Sequence, residues 1–118
     1  MSNPQLVKRG DVWLINLDPT LGAEIKKTRP AVVISSDGVG KLPLKVIVPV
    51  TEWDEAFAAS RWHVRLDPSK TNGLSKMSAA DAFQIRSLSL QRFVKRLGAL
   101  NAVQLEEAAQ AVAIVVDL

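Results

Sequence analysis

The sequence predicts a small, mainly β protein: a strongly curved antiparallel sheet or barrel with a C-terminal α-helix over one opening. Short apolar or alternating segments separated by Gly and Pro turns fill most of the chain, whereas only the last stretch has helical periodicity. A length of 118 residues suits one domain, and no change of composition marks a linker. We therefore expect a single domain over residues 1–118, with 1–7 as a flexible tail.

Six strands are predicted from these patterns, at 11–17, 31–35, 44–50, 61–66, 77–86 and 94–99. The first strand has few polar positions, which is typical of burial on both faces. Pro49, near the end of the third, indicates a sheet edge or a bulge, because proline cannot donate to the ladder. The fifth strand would place Asp81, Phe83 and Ile85 on one face.

The fourth predicted strand has two chemically different faces. Period-two alternation gives a titratable face, Arg61, His63 and Arg65, and an apolar face, Trp62, Val64 and Leu66. Like charges side by side repel, so the first face fits an anionic ligand. An exposed strand balanced by acids on its neighbour explains the same pattern equally well.

The one predicted helix begins at Asn101, with Gln104 three residues later as its capping partner. Its apolar stripe, which we expect to pack on the sheet, consists of Leu105, Ala108, Ala109, Val112 and Val116. Earlier, Ser89 is expected to cap a single turn around 91–93.

Composition excludes several classes of protein. The chain has no cysteine and one histidine, which excludes structural zinc and thiol catalysis, and we expect neither a metal nor another cofactor. It has no apolar run of about 20 residues and no signal-peptide core, so we expect a cytoplasmic protein without membrane contact. A net charge of +3 is mild, so the position of the cations matters more than their sum.

The most informative stretch is 22–30, a glycine-containing loop with three cations that runs into the second strand. Pro30 fixes its own φ and favours an extended conformation at Arg29. A rigid five-donor guanidinium held at such a junction suits a phosphate group. The alternative is a surface ion pair, for instance between Arg29 and Glu24.

Thr51, at the end of the third strand, also allows two interpretations. With Asp54 three residues later, it resembles a capping box for a helical turn through Phe57 and Ala58. This stretch by itself favours the capping box, and the alternative is that a hydroxyl at a strand end beside amide donors forms a site for an oxyanion.

Five segments together resemble the MazF/PemK family of toxin endoribonucleases from type II toxin–antitoxin systems. They are Arg9-Gly10-Asp11-Val12-Trp13, Asp18-Pro19-Thr20-Leu21-Gly22, Glu24-Ile25 through Thr28-Arg29-Pro30-Ala31-Val32-Val33, Val48-Pro49-Val50-Thr51 and Gln84-Ile85-Arg86. The resemblance implies an SH3-like barrel, a homodimer, an acidic antitoxin partner and metal-independent, sequence-specific cleavage of single-stranded mRNA that inhibits growth. It also implies that Arg29 and Thr51 are the catalytic pair.

Two positions depart from the family pattern. Phe83 stands where the family usually has an acidic residue, and Ser89 where it usually has Asp. Asp81, two residues before Phe83, is a candidate substitute with a different reach. The departures affect any carboxylate contribution and the cleavage preference, whereas the pair of Arg29 and Thr51 is unaffected.

The residues support cleavage by the substrate's own ribose hydroxyl, which leaves a cyclic phosphate and a 5′-hydroxyl, as the family implies. Deprotonating a guanidinium at neutral pH costs roughly 8 kcal/mol, so Arg29 is interpreted as a charge stabiliser and proton donor. His63 is a candidate base, or a surface histidine that helps to bind phosphate. Trp53 is a candidate for base stacking, with burial in the core as its alternative. The candidate RNA-binding residues are Glu24, Lys26, Lys27, Thr28, Trp53, Arg61, His63, Arg65, Gln84 and Arg86.

Two other functions remain open from the sequence. A CcdB-like toxin of similar fold would poison a topoisomerase through its C-terminal helix and would not need Arg29 or Thr51. A non-catalytic nucleic-acid-binding barrel would fit Phe83 and Ser89 in place of acids.

Overall fold

The computed structural model describes residues 6–19, 21–23, 27–39 and 42–118. Within them the chain forms seven β-strands and one 14-residue α-helix. In chain order these are β1 (Asp11–Asn16), β2 (Thr28–Val33), β3 (Leu44–Glu52), β4 (His63–Leu66), β5 (Ser78–Asp81), β6 (Arg86–Ser89), β7 (Phe93–Ala99) and α1 (Ala102–Val115). In the part of the chain described, no helix is both long and apolar enough to cross a bilayer.

The strands form one antiparallel sheet in the order β4-β5-β3-β2-β1-β7, with β6 pairing to β3 off this path. The central strand is β3, which pairs with β2 along one edge and with β6 and then β5 along the other. The predicted class, a mainly β, barrel-like fold with a C-terminal helix, is confirmed. Among the described residues the sheet ends at β4 and β7, so backbone pairing does not close the barrel.

Two hydrophobic cores lie on opposite faces of the sheet, because neighbouring residues of a strand point to opposite sides. Core 1 consists of Val7, Ile15, Leu17, Ala31, Val33, Ile47, Leu88, Leu90 and Phe93. Core 2 consists of Val12, Val32, Val48, Val50, Leu66, Leu74, Ala80 and Leu100, and α1 covers it through Leu105 and Val112. The prediction that the first strand is buried on both faces is therefore confirmed at Val12 and Ile15.

Helix α1 begins as the sequence predicts. The Asn101 side chain accepts a hydrogen bond from the Gln104 amide at 2.8 Å, and the Gln104 side chain accepts one from the Asn101 amide at 3.3 Å. Of the predicted stripe, Ala108 is buried, and Leu105 and Val112 pack on core 2. Ala111, which the predicted stripe did not include, is buried as well. Val116 is 56% exposed and lies past the end of the helix.

The predicted strand 77–86 is wrong, because it is interrupted after four residues. The Asp81 carboxylate accepts a hydrogen bond from the Phe83 amide at 3.1 Å and caps a 3₁₀ turn at Ala82–Gln84. This local bond competes with the sheet ladder and ends β5. The interruption lies beside Pro49, which pairs with Ala31 of β2 and with neither β5 nor β6, so Pro49 lies in a central strand and not at a sheet edge.

Several strand boundaries also differ from the prediction. β4 begins at His63, because Ser60 Oγ accepts hydrogen bonds from the amides of Trp62 and His63 and holds the preceding residues in a turn. Trp62 is consequently 38% exposed rather than part of an apolar strand face. Val7 is fully buried in core 1, so the expected tail does not extend to it. The predicted capping role of Ser89 is confirmed, since its Oγ accepts from the Gln91 amide at 3.3 Å.

Candidate active site

Arg29 and Thr51 line the same small cavity, of about 60 Å³. The ladder between β2 and β3 pairs Ala31 with Pro49 and Val32 with Val48. Extending this register by two residues sets Arg29 opposite Thr51, and opposed residues of antiparallel strands present their side chains on one face. Arg29 itself lies within β2, paired with Ile15, and not in the loop that the sequence predicts. The two candidate catalytic side chains are thus brought together by the central strands.

Thr51 does not cap the turn that follows it, so that interpretation is wrong. The 3₁₀ helix Glu55–Ala59 is capped by Asp54, whose Oδ1 accepts a hydrogen bond from the Ala56 amide at 2.8 Å. Thr51 is instead a residue of β3, paired with Ala79 of β5. Its hydroxyl therefore belongs to the cavity wall and not to a helix terminus.

The rest of this cavity comes from residues that were not predicted as site residues. Its further lining is Pro30, Val50, Glu52, Ser75, Lys76 and Ser78. Lys76 brings a second cation, and its Nζ lies 3.4 Å from Glu52 Oε2 in an exposed pair. Nothing local marks Lys76, because the pairing of β5 with β3 is what brings it to the cavity that Arg29 also lines.

Trp53 and Arg65 extend the same face of the sheet. The Arg65 guanidinium carbon lies 5.7 Å from the centre of the Trp53 ring, a cation–π contact. Arg65 is paired with Ala79, which is paired with Thr51, so two strand spacings of about 4.8 Å separate Arg65 from Thr51. Trp53 Nε1 donates to Glu55 Oε1 at 3.0 Å, and the side chain belongs to neither core.

A second, larger cavity of about 520 Å³ lies farther along β3. It is lined by Leu17, Pro49, Phe83, Gln84, Ile85, Arg86 and Ser87. Pro49 lines the larger cavity and Thr51 the smaller one, and these two residues are about 7 Å apart along one face of β3. The structure therefore brings the predicted residues Gln84 and Arg86 close to the Arg29–Thr51 pair.

Arg61 and His63 lie elsewhere. Together with Arg65 they line a cavity of about 290 Å³ between β4 and α1. Arg65 is common to this cavity and to the face that carries Trp53. The structure thus divides the predicted cationic strand face between two sites.

The His63 side chain is fixed by contacts with Ser60, Asp81 and Phe57. Its Nδ1 lies 2.7 Å from Ser60 Oγ and its Nε2 lies 3.6 Å from Asp81 Oδ2. The ring stacks on Phe57 with centroids 3.8 Å apart and planes 4° apart, and its side chain is 10% exposed. Asp81 also caps the turn at Phe83, so its carboxylate is engaged on both oxygens. Neither residue lines the cavity of Arg29 and Thr51.

The cationic loop is described only in part. Glu24 and Lys26 lie outside the described residues. Lys27 is exposed at a positive φ of 71°, and its amide donates to Asp18 Oδ1 at 2.9 Å. Thr28 is exposed at the start of β2, opposite Asn16. Lys27 and Thr28 thus precede Arg29 directly at the solvent edge of the site.

A guanidinium and a hydroxyl fixed on central strands, beside an arginine-lined cavity, define a small β protein suited to hold a phosphodiester. The chain belongs to the PemK-like, MazF-like toxins of type II toxin–antitoxin systems, whose sequence profile matches residues 8–116. It is 31% identical over 119 residues to the endoribonuclease MazF9 of Mycobacterium tuberculosis, covering 96% of this chain and 98% of the relative. Its class is that of toxin endoribonucleases.

Solved structures agree with this assignment. MazF from Deinococcus radiodurans superposes with a TM-score of 0.76 at 25% identity, over 94% of this chain and 96% of that one. A MazE–MazF complex from the same organism gives a TM-score of 0.69 at 26% identity, over 94% and 96% of the two chains. The chain thus shares the fold of these MazF structures as well as the sequence pattern of the family.

Proposed function

We propose that this toxin cleaves single-stranded mRNA at specific sequences, without a metal, at the cavity of Arg29 and Thr51. The observation that carries the proposal is that these two side chains, 22 positions apart in the printed sequence, line one cavity from adjacent strands. A cation and a hydroxyl at one open cavity can together contact the oxygens of a single phosphate.

The reaction follows from what the substrate supplies. The ribose 2′-hydroxyl gives its proton to solvent water and attacks the adjacent phosphorus, an O2′–P bond forms, and the P–O5′ bond breaks. The products are a 2′,3′-cyclic phosphate and a 5′-hydroxyl, which takes up a proton as it leaves. Because the nucleophile is internal to the RNA, no metal-bound hydroxide is required.

In this scheme Arg29 and Thr51 stabilise the negative charge that grows on the phosphorane oxygens. Preorganised donors of this kind contribute several kcal/mol each in other enzymes. Arg29 is also the proposed proton donor to the leaving O5′. It is not the base, because neutralising a guanidinium near pH 7 would cost more than general base catalysis returns.

The RNA strand is proposed to run along β3 from this cavity into the larger one. Gln84 and Arg86 line the larger cavity, while Trp53 and Arg65 lie on the other side of Thr51. Aromatic and cationic side chains along one groove are the usual means of holding a single strand. Lys27 and Thr28 are proposed contacts at the rim, and Glu24 and Lys26 are proposed RNA contacts from the sequence alone. Arg61 and His63 would meet only RNA that extends past β4.

The partners are proposed from the family. A cognate acidic antitoxin would complement the cations of the groove, and the related Deinococcus radiodurans protein is found in a MazE–MazF complex. We also propose that the toxin is a homodimer and acts in the cytoplasm, where mRNA cleavage stops translation and growth. Sedimentation of the purified toxin, alone and with its antitoxin, measures both assemblies.

The test compares wild type, Arg29→Ala and the control Lys70→Ala, which removes an exposed cation from the turn between β4 and β5. Each is incubated with mixed-sequence RNA under excess EDTA, and the product ends are identified. We expect discrete cuts with 5′-hydroxyl ends from wild type and Lys70→Ala, and none from Arg29→Ala with unchanged circular dichroism. Cleavage by Arg29→Ala would contradict the proposal, and so would the absence of wild-type cleavage under excess EDTA. RNA that is bound by the wild type but not cut would favour a non-catalytic binding protein.

A further inference from the structure

Phe83 is the most unusual residue of the larger cavity. It is 63% exposed, although a phenylalanine is ordinarily a core residue. It shares the wall of a cavity of about 520 Å³ with Gln84 and Arg86, a volume within the usual range of small-ligand sites. An exposed aromatic ring beside an amide and a guanidinium has the chemical composition of a nucleobase site.

The Phe83 ring is positioned by contacts on its protein side. Trp62 packs edge-on against it, with centroids 5.7 Å apart and planes at 70°. The backbone of the turn is fixed by Asp81, which accepts from the Phe83 amide, and by the Ala82 amide, which donates to Trp62 O at 2.9 Å. His63 in turn lies against Asp81. A ring held in this way loses little conformational entropy when a flat ligand stacks on it.

We infer that Phe83 is a base-stacking residue that receives a nucleobase next to the scissile phosphate, and that His63 and Asp81 position it. This rests on the proposed RNA-cleaving function. A nucleobase is favoured over an apolar peptide side chain because Gln84 and Arg86 line the same cavity, and because it adjoins the Arg29–Thr51 cavity along β3. Phe83 thus offers the base a π face to stack on, at the position where the family usually has an acidic side chain that would accept hydrogen bonds.

The first measurement is equilibrium binding of a mixed-sequence 2′-O-methyl RNA, which lacks the nucleophile and cannot be cut. Full-length wild type is compared with Phe83→Ala, Phe83→Leu and Phe83→Tyr. Stacking of one base predicts that Phe83→Ala weakens binding about 5- to 150-fold. Phe83→Tyr should bind as wild type does, while Phe83→Leu, which keeps an apolar group but no π face, should resemble Phe83→Ala.

The salt dependence separates stacking from charge. Loss of a stacked base removes no phosphate contact, so Phe83→Ala should leave the slope of log K against log salt unchanged. Arg86→Ala should lower the magnitude of that slope by about 0.7 if it contacts one phosphate of a single strand. Val103→Ala, which trims an equally exposed apolar side chain on α1, is the control and should bind as wild type does.

Each outcome decides the inference. Unchanged binding by Phe83→Ala, or wild-type binding by Phe83→Leu, would overturn it. A shift in sedimentation of Phe83→Ala, with RNA affinity intact, would assign the ring to a protein interface and also overturn it. These results are independent of the proposed cleavage, whose failure would appear as intact RNA with wild-type protein. His63→Gln should weaken RNA binding without altering the salt slope if it acts through Asp81 on Phe83.

Discussion

Arg29 and Thr51 each lie two residues beyond Ala31 and Pro49, the last pair of the ladder between β2 and β3, the two innermost strands of the sheet. Both side chains continue the face that carries Ala31, Ile47 and the rest of core 1. Their separation is therefore set by strand pairing and by a packed core, before any RNA binds. Such preorganisation is the condition under which fixed donors lower a barrier most.

Thr51→Val should abolish most cleavage while keeping the fold. Valine retains the β-branched shape that suits a strand and removes only the hydroxyl. We expect the cleavage rate to fall about 10²–10³-fold, the usual effect of losing one transition-state donor. Initial rates and the urea midpoint measure the two effects. Thr51→Ser, which restores the hydroxyl, should recover most of the rate, and equal loss in both variants would show that the hydroxyl has no part in the reaction.

Arg29→Lys should fall far short of wild type even though the charge is kept. A lysine presents a point charge, whereas the guanidinium offers a planar fork that can meet two phosphate oxygens. We expect kcat to fall about 10²-fold with a small change in KM, because the deficit concerns the transition state. Single-turnover kinetics on one mapped cut site measures this. A lysine variant with a wild-type kcat would reduce the role of Arg29 to charge alone.

His63→Gln should lower stability and leave the acidic limb of the pH–rate profile in place. The imidazole contacts Ser60, Asp81 and Phe57 and lies outside the cavity of the proposed catalytic pair. Loss of the stacking alone corresponds to about 0.5–1.5 kcal/mol of unfolding free energy. Urea denaturation and a pH–rate series measure the two quantities. His63→Phe, which keeps a ring on Phe57, is the comparison; disappearance of the acidic limb in both variants would return His63 to the chemistry.

Gly98→Ala should destabilise the fold strongly, because the turn before β5 lies directly on β7. A Cβ at Gly98 would lie 2.2 Å from Thr71 O and 2.7 Å from the Asn72 carbonyl carbon, so the backbone would have to move. We expect a loss of at least about 2 kcal/mol in the free energy of unfolding. Gly38→Ala is the control, since its Cβ would come no nearer than 3.5 Å to another residue, Ser36 Oγ. Thermal denaturation of both variants tests this, and equal melting temperatures would contradict the close contact.

Local sequence patterns predicted the structure correctly where a single local interaction governs it. The capping box at Asn101 and the cap at Ser89 each depend on a few neighbouring residues, and each is found. Predictions were wrong where two local interactions compete. Asp54 and Thr51 can both cap the same turn, and Asp81 can either extend a strand or cap a turn at Phe83; in both cases the aspartate caps.

The sequence alone determined the mainly β class, the terminal helix and the identity of the residues suited to hold a phosphate, because alternation, caps and side-chain chemistry are properties of short segments. The tertiary structure decided which of those residues meet. Register between β2 and β3 joins Arg29 to Thr51, whereas the turn at Ser60 and the stack on Phe57 take His63 away from them. Register and packing depend on residues far apart in the chain, whose contacts no local pattern contains.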